Sequence, residues 1–169
     1  MAKRTIGINL SRGSINDAIQ KIKEYQKEIK RKNEIFVTRL AKEGLKVAQM
    51  TMEEIPSEEK GDYYTETINT SNGDIVGAAI QLTGNKVLFI EFSAGITYGT
   101  DSYPLPSGDN YGMGTYPGKG HWDSPYGWWY VDDHGEKHHS YGNRAYMPMY
   151  HAEQAIILSV RSVAKEVFG

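Results

Sequence analysis

From Ser14 to Glu54 the chain runs without a proline, and an apolar residue returns every seven positions at Ile15, Ile22, Ile29 and Phe36, with Ala18 and Tyr25 between them. Ser14, with Asp17 three residues later, has the form of a capping box and predicts the helix start there. A continuous helix over this stretch is about 60 Å long at ~1.5 Å per residue. A compact chain of 169 residues has a radius of gyration of only about 15 Å. The helix therefore outreaches the domain that carries it. Either it breaks, near Asn33 or Gly44, or its first half projects and packs against another subunit.

The two halves differ in how much of their circumference is apolar. Residues 15–33 carry a narrow stripe on a cylinder charged by Lys21, Lys23, Glu24, Lys27, Glu28, Lys30, Arg31 and Lys32. Residues 35–52 are apolar more broadly, through Ile35, Phe36, Val37, Leu40, Leu45, Val47, Met50 and Met52. A wide face belongs to a core and a narrow one to one-sided packing or a coiled-coil seam. The second half is the expected core helix. The first is an extension whose Ile15, Ile22 and Ile29 meet another protein surface. Ahead of it, Ile6, Ile8 and Leu10 alternate with small or polar residues, which suggests a short strand or extended arm.

Beyond Pro56 the period changes to two. Tyr63–Ile68 and Ile75–Thr83 read as strands, with turn signals at Asn72–Gly73 and Gly84–Asn85. Lys86–Phe92 follows with apolar residues on both faces, as in a central strand. Trp128–Val131 and Lys137–His139 flank Asp133, His134 and Gly135 as a small hairpin. Pro148 precedes a helix over roughly Tyr150–Val167, with Ala152, Ile156, Val160, Val163 and Val167 on one face. The predicted fold is one α+β domain over residues 1–169. An antiparallel meander at 63–92 is packed by the long N-terminal helix and the C-terminal helix, and a Gly/Tyr/Trp-rich loop and hairpin occupy 95–142. Phe36, Leu40, Val47, Leu88, Ile90, Ile156 and Val160 are its expected core.

Charge narrows the class of partner. Residues 1–60 hold 13 Lys/Arg against 9 Asp/Glu, and 61–148 reverse the sign with 4 against 10. Such asymmetry points to surfaces with different partners. The net charge of −2 excludes the broad basic footprint of a nonspecific nucleic-acid binder. No cysteine is present, so disulfides, thiolate zinc sites and a cysteine nucleophile are excluded. The N-terminus lacks the apolar stretch of a signal peptide, and no run approaches the ~18 apolar residues of a membrane span. A protein made and kept in a cytoplasm until it assembles is the expectation.

Few residues carry chemistry. The histidines are His121, His134, His138, His139 and His151, and Asp132, Asp133, His134, His138 and His139 form the densest set of potential ligands. Two imidazoles and a carboxylate suit zinc or iron. However, Gly135 suggests a turn rather than the helix that would align His134 with His138, and adjacent His138 and His139 point to opposite faces of a strand. No Gly-x-Ser-x-Gly elbow is present. The glycines at 112, 114, 118 and 120 lead into no helix and no Gly-Lys-Ser/Thr. No enzymatic activity, cofactor or metal is expected.

The anomaly is aromatic. Tyr98, Tyr103, Tyr111, Tyr116, Trp122, Tyr126, Trp128, Trp129 and Tyr130 are interleaved with glycine and proline, and the run 95–127 has almost no aliphatic residue. Base stacking normally comes with a positive groove, whereas the neighbours here are Asp101, Asp109, Asp123, Asp132 and Asp133. Tyr and Trp bury large area at low entropy cost and anchor protein interfaces. Tyr98, Tyr103, Tyr111, Tyr116, Trp122, Trp128 and Trp129 are the candidate interface residues, although Trp128 and Tyr130 are equally suited to covering the domain's own sheet.

Taken in order, these features resemble the tail-completion or head–tail joining family of long-tailed bacteriophages, also described as minor capsid or morphogenesis proteins. The resemblance lies in a basic helix, then Phe89-Ile90-Glu91-Phe92-Ser93-Ala94-Gly95, a Gly/Pro/aromatic loop and Gly127-Trp128-Trp129-Tyr130. Gly142-Asn143-Arg144-Ala145-Tyr146-Met147 then leads into a final helix by Ala152. It spans nearly the whole chain and is most specific over 87–155. It implies a structural virion protein of the neck or upper tail, assembled in the host cytoplasm as a homo-oligomeric, hexameric ring. Its partners would be the connector and the tail terminator or tube, with genome DNA passing nearby unbound. No catalytic residues come with the family. Two other classes stand beside it: an aromatic-rich carbohydrate-binding module contacting a cell wall, and a small metallohydrolase using His134 and His138.

Overall fold

The computed structural model describes residues 5–92, 126–131 and 134–169. Residues 5–10 form no strand, and Leu10 is fully exposed. Helix α1 (Arg12–Glu54) is a single uninterrupted helix of 43 residues. Its N-cap is Ser11, whose side chain accepts the Ser14 N–H at 3.3 Å, so the helix opens ahead of the Ser14–Asp17 box. Ser14 takes part from inside the first turn, accepting the Asn9 N–H through Oγ at 3.0 Å.

Neither expected break occurs. At Gly44 the reason is visible: a Cβ there would stand 2.5 Å from Ile80 Cδ1 and 2.7 Å from Ile156 Cδ1. The glycine lets two isoleucines reach the helix backbone. Its φ is not among the positive values, and its hydrogen bonds are those of the helix. Together with Ala41, Ala48 and Met52 it forms the buried stripe of α1.

After a single turn, α2 (Ser57–Lys60), strands β1 (Tyr63–Asn69) and β2 (Ala78–Gly84) pair antiparallel from Tyr63↔Gly84 to Asn69↔Ala78. Asn72 and Ile75 exchange backbone hydrogen bonds at the tip, where Gly73 takes φ 60°. The third strand of the expected meander does not exist. Val87–Phe92 is instead a short helix, α3, with Ile90 and Glu91 buried. A six-residue apolar run fits either period. Here the buried and half-buried positions are Val87, Ile90, Glu91 and Phe92, and the step from Val87 to Ile90 and Glu91 is helical.

Strands β3 (Trp128–Val131) and β4 (Lys137–Ser140) form the expected hairpin. Helix α4 (Pro148–Phe168) closes the described chain. It runs antiparallel to α1: Ile156 lies at Gly44, and the Phe168 ring meets Phe36 edge-on at 5.6 Å. Its main contact is therefore α1, not the sheet that it was expected to cover. The tightest cluster is Met52, Ile55 and Ile90, with Tyr63, Leu82 and Tyr146 against it.

Of the expected core, Ile90 alone is fully buried; Phe36, Leu40, Val47 and Ile156 are half-buried. Leu88 and Val160 are exposed. Leu88 turns outward because α3 is a helix. Val160 sits at the rim because α4 buries only the narrow face marked by Ala152 and Val163.

Candidate interaction surface

Two of the segments that carry the family resemblance, around Phe89–Glu91 and Asn143–Met147, come together in space. Ile90 O accepts the Tyr146 N–H at 2.8 Å and the Met147 N–H at 3.3 Å, and Asn143 Nδ2 donates to Phe89 O at 2.7 Å. Met147, at the N-cap of α4, has φ 55° and no side-chain acceptor. The acceptor comes from α3: the Glu91 carboxylate takes the Met149 N–H at 2.8 Å and the Tyr150 N–H at 2.9 Å. These are the second and third residues of α4, whose unpaired N–H groups want an anion. Pro148 fills the first position, where no N–H is needed. Glu91 is only 5% exposed. The junction ties both ends of the chain segment that leaves after Phe92 and returns at Gly142.

Within that segment the β3–β4 hairpin presents its rings in two sets. Trp129 pairs with His139 and Tyr130 with His138. On one face His139 stands edge-on between Trp129 at 4.8 Å and Tyr141 at 4.6 Å. Trp129 is 70% exposed and Tyr141 61%. On the other face Tyr130 stacks on His138 at 5.3 Å. Trp128 is half-buried, so it is the less available of the two tryptophans. His138 and His139 do point to opposite faces. Tyr98, Tyr103, Tyr111, Tyr116, Trp122, Asp132 and Asp133 lie outside the described residues.

A second surface is the N-terminal part of α1. The turn of the first hairpin touches the helix where Lys30 Nζ donates to Gly73 O at 2.8 Å, and α4 ends at Phe36. Residues 12–29 run past both, a length of about 27 Å at ~1.5 Å per residue. Ile15, Ile19 and Ile22 are exposed on it, Ile29 is half-buried and Ala18 is buried. A third surface is the outer side of α4, where Leu158 is 81% and Ile157 56% exposed, with Val160 beside them. Sequence reasoning gave α4 a single apolar face, formed by Ala152, Ile156, Val160, Val163 and Val167. The signal against that was the unbroken run from Ala155 to Leu158, which carries apolar side chains right round the helix.

Among the described residues no group of three His, Asp or Glu could hold a metal, and no helix is long and apolar enough to cross a membrane. A cleft of about 160 Å³ between α1 and the first hairpin is lined by residues including Glu34, Thr38, Thr67, Asn69 and Gly77. It is smaller than the ~300 Å³ and upward of typical small-molecule sites. Comparison with known proteins returns no matching family model, no similar curated protein and no similar solved structure.

Proposed function

We propose that this chain is a structural subunit of a bacteriophage neck or upper tail, a tail-completion or head–tail joining protein that acts by ring assembly between connector and tail tube. The observation that carries an assembly role is α1. It holds 43 residues, and its first turns bear exposed isoleucines beyond the reach of α4 and the first hairpin. Fully burying an exposed isoleucine is worth about 1.5–3 kcal/mol, and with Ile15, Ile19 and Ile22 at 42–46% exposure less than half of that remains to be gained at each. The phage assignment rests on the resemblance of Phe89–Gly95, Gly127–Tyr130 and Gly142–Met147. What supports it is that the first and last of these motifs build the junction holding the aromatic segment.

In this reading the exposed rings contact neighbouring tail proteins. Trp129→Ala should leave the isolated chain folded, within about 0.5 kcal/mol of the parent, because surface substitutions rarely cost more. It should weaken incorporation into particles by about 2 kcal/mol or more, as should Tyr116→Ala. Thermal melts of the pure protein, set beside its yield in assembled tails, check both halves. Rings that prove essential to the monomer but irrelevant to assembly would sink the interface assignment.

The carbohydrate reading keeps one observation in its favour, the exposed face of Trp129, His139 and Tyr141. A particle reconstruction placing the chain between head and tail tube tests the first reading directly. Saturable binding of cell-wall glycans, lost on Trp129→Ala, would favour the second.

A further inference from the structure

We infer that the tip of the first hairpin is a site of self-driven covalent modification, where the side-chain amide of Asn72 is converted to an acid by attack of the Gly73 backbone nitrogen, with water as the co-reactant. The chemistry makes three demands. The attacking peptide nitrogen must be free to lose its proton and must not be crowded by a β-carbon. The side chain of the preceding asparagine must be free to turn towards it. Both must lie where the backbone can open.

Asn72 is the one asparagine in the sequence that is followed by glycine. Both residues are exposed, and a Cβ placed on Gly73 would find nothing within 4 Å. Among the described residues nothing accepts the Gly73 N–H, and no hydrogen bond holds the Asn72 side chain. Two backbone bonds close the turn, from Asn72 N–H to Ile75 O at 2.9 Å and from Ile75 N–H to Asn72 O at 3.0 Å. Gly73 has the positive φ, 60°, that the first central residue of a type II′ turn takes. An exposed tip held by so few bonds opens far more readily than the fold as a whole. Lys30 anchors the tip through Gly73 O, at 2.8 Å, and so leaves the nitrogen uncovered.

The other described asparagines fail one demand or more. Asn9 Oδ1 accepts both the Ser11 N–H and the Ser11 hydroxyl, Asn69 Oδ1 accepts the Ser71 N–H, and Asn143 Nδ2 donates to Phe89 O. Asn16 and Asn33 lie inside α1, where the next N–H belongs to the helix ladder. Asn85 precedes Lys86, which carries a β-carbon.

The deprotonated Gly73 nitrogen bonds to Asn72 Cγ, the Cγ–Nδ2 bond breaks, and Nδ2 leaves as ammonia with the proton returned to it. Water then opens the cyclic imide. Breaking the bond from Cγ to nitrogen leaves aspartate at position 72. Breaking the bond from the backbone carbonyl carbon to nitrogen leaves isoaspartate, whose main chain runs through Cβ and is one carbon longer. Nothing is oxidised or reduced. Either product adds a negative charge beside Asp74, one residue from the carbonyl that Lys30 holds. The longer main chain of isoaspartate also puts the Asn72–Ile75 pair out of register.

The experiment incubates the full, folded chain in mildly alkaline buffer and maps its peptides by mass spectrometry, with isoaspartate labelled by a protein isoaspartyl methyltransferase. A free peptide of residues 70–76 in the same buffer serves as the clock. The Asn72 peptide is expected to convert ahead of every other described asparagine and to contain isoaspartate, and the acidic form is expected to be lost in Asn72→Gln. Hydrogen exchange of the converted chain should show protection lost at Thr70 and Ile75 and retained around Val163. Faster conversion at Asn9, Asn69 or Asn143 overturns the inference, as does an intact Asn72 once the free peptide has fully converted. Aspartate without isoaspartate means direct hydrolysis of the amide and overturns the attack by Gly73. Unchanged protection at Thr70 and Ile75 overturns the loss of register.

Discussion

Gly44→Leu is expected to destabilise the isolated chain by about 3 kcal/mol, the upper part of the usual cost of overpacking a core. For a domain of this size, that lowers the melting temperature by roughly 6–12 °C. The position has no room: the first added carbon would already meet Ile80 and Ile156 at 2.5–2.8 Å, and three more would follow it. Relief requires α4 or β2 to move away from α1. Gly44→Ala is the informative control. It gains about 1 kcal/mol of helix propensity, while Ile80 Cδ1 and the outer atoms of Ile156 must shift to admit one methyl. The two effects nearly offset, so the alanine variant should melt within a few degrees of the parent. A leucine variant as stable as the parent would mean that α1, β2 and α4 do not converge there.

Glu91→Ala is expected to cost about 3 kcal/mol as well. The substitution strips an anion from the first turn of α4 and leaves the Met149 and Tyr150 N–H groups without that acceptor in a half-buried setting. Hydrogen bonds to a charged group are worth about 1.5–3 kcal/mol each, not fully additively. The helix dipole adds about 0.3–1 kcal/mol. Glu91→Gln keeps one acceptor and the shape, so it should lose about half as much. Hydrogen exchange gives the second readout. Amides of the first turn of α4 should lose protection in Glu91→Ala before those around Val163 do. If exchange rises uniformly instead, Glu91 stabilises the whole fold rather than this helix end.

The candidate surfaces were legible in the sequence to different degrees. The stripe of Ile15, Ile22 and Ile29 on a charged cylinder predicted one-sided packing or an extension, and the structure has Ile15 and Ile22 exposed and Ile29 half-buried on an unbroken helix. Trp129 was readable as a candidate from its company of tyrosines and glycines, and the structure leaves it 70% exposed. Glu91 was not readable, since its donors at Met149 and Tyr150 lie 58 and 59 residues further on. The outer face of α4 was missed because periodicity marks the side of a helix that can be buried. It does not mark a second apolar side that stays exposed, as Ile157 and Leu158 do.

Local rules settled the elements whose signals are local. Period, caps and turn residues are properties of neighbouring dihedrals, and they determined α1, the first hairpin with its Asn72–Gly73 tip, the β3–β4 pair and α4 opening on Pro148. Tertiary structure decided what depends on the group across the gap. Residues 87–92 satisfy strand and helix patterns alike, and they are helical where Ile90 O receives Tyr146 and Met147 and Phe89 O receives Asn143, 54 residues away. Gly44 could have broken the helix, and it instead admits Ile80 and Ile156 to its backbone. Leu88 and Val160 are as apolar as Ile90, yet they remain exposed because no described element lies opposite them to complete a core. A residue's own chemistry sets which conformations it favours, but burial requires a partner surface, and only the assembled fold supplies that.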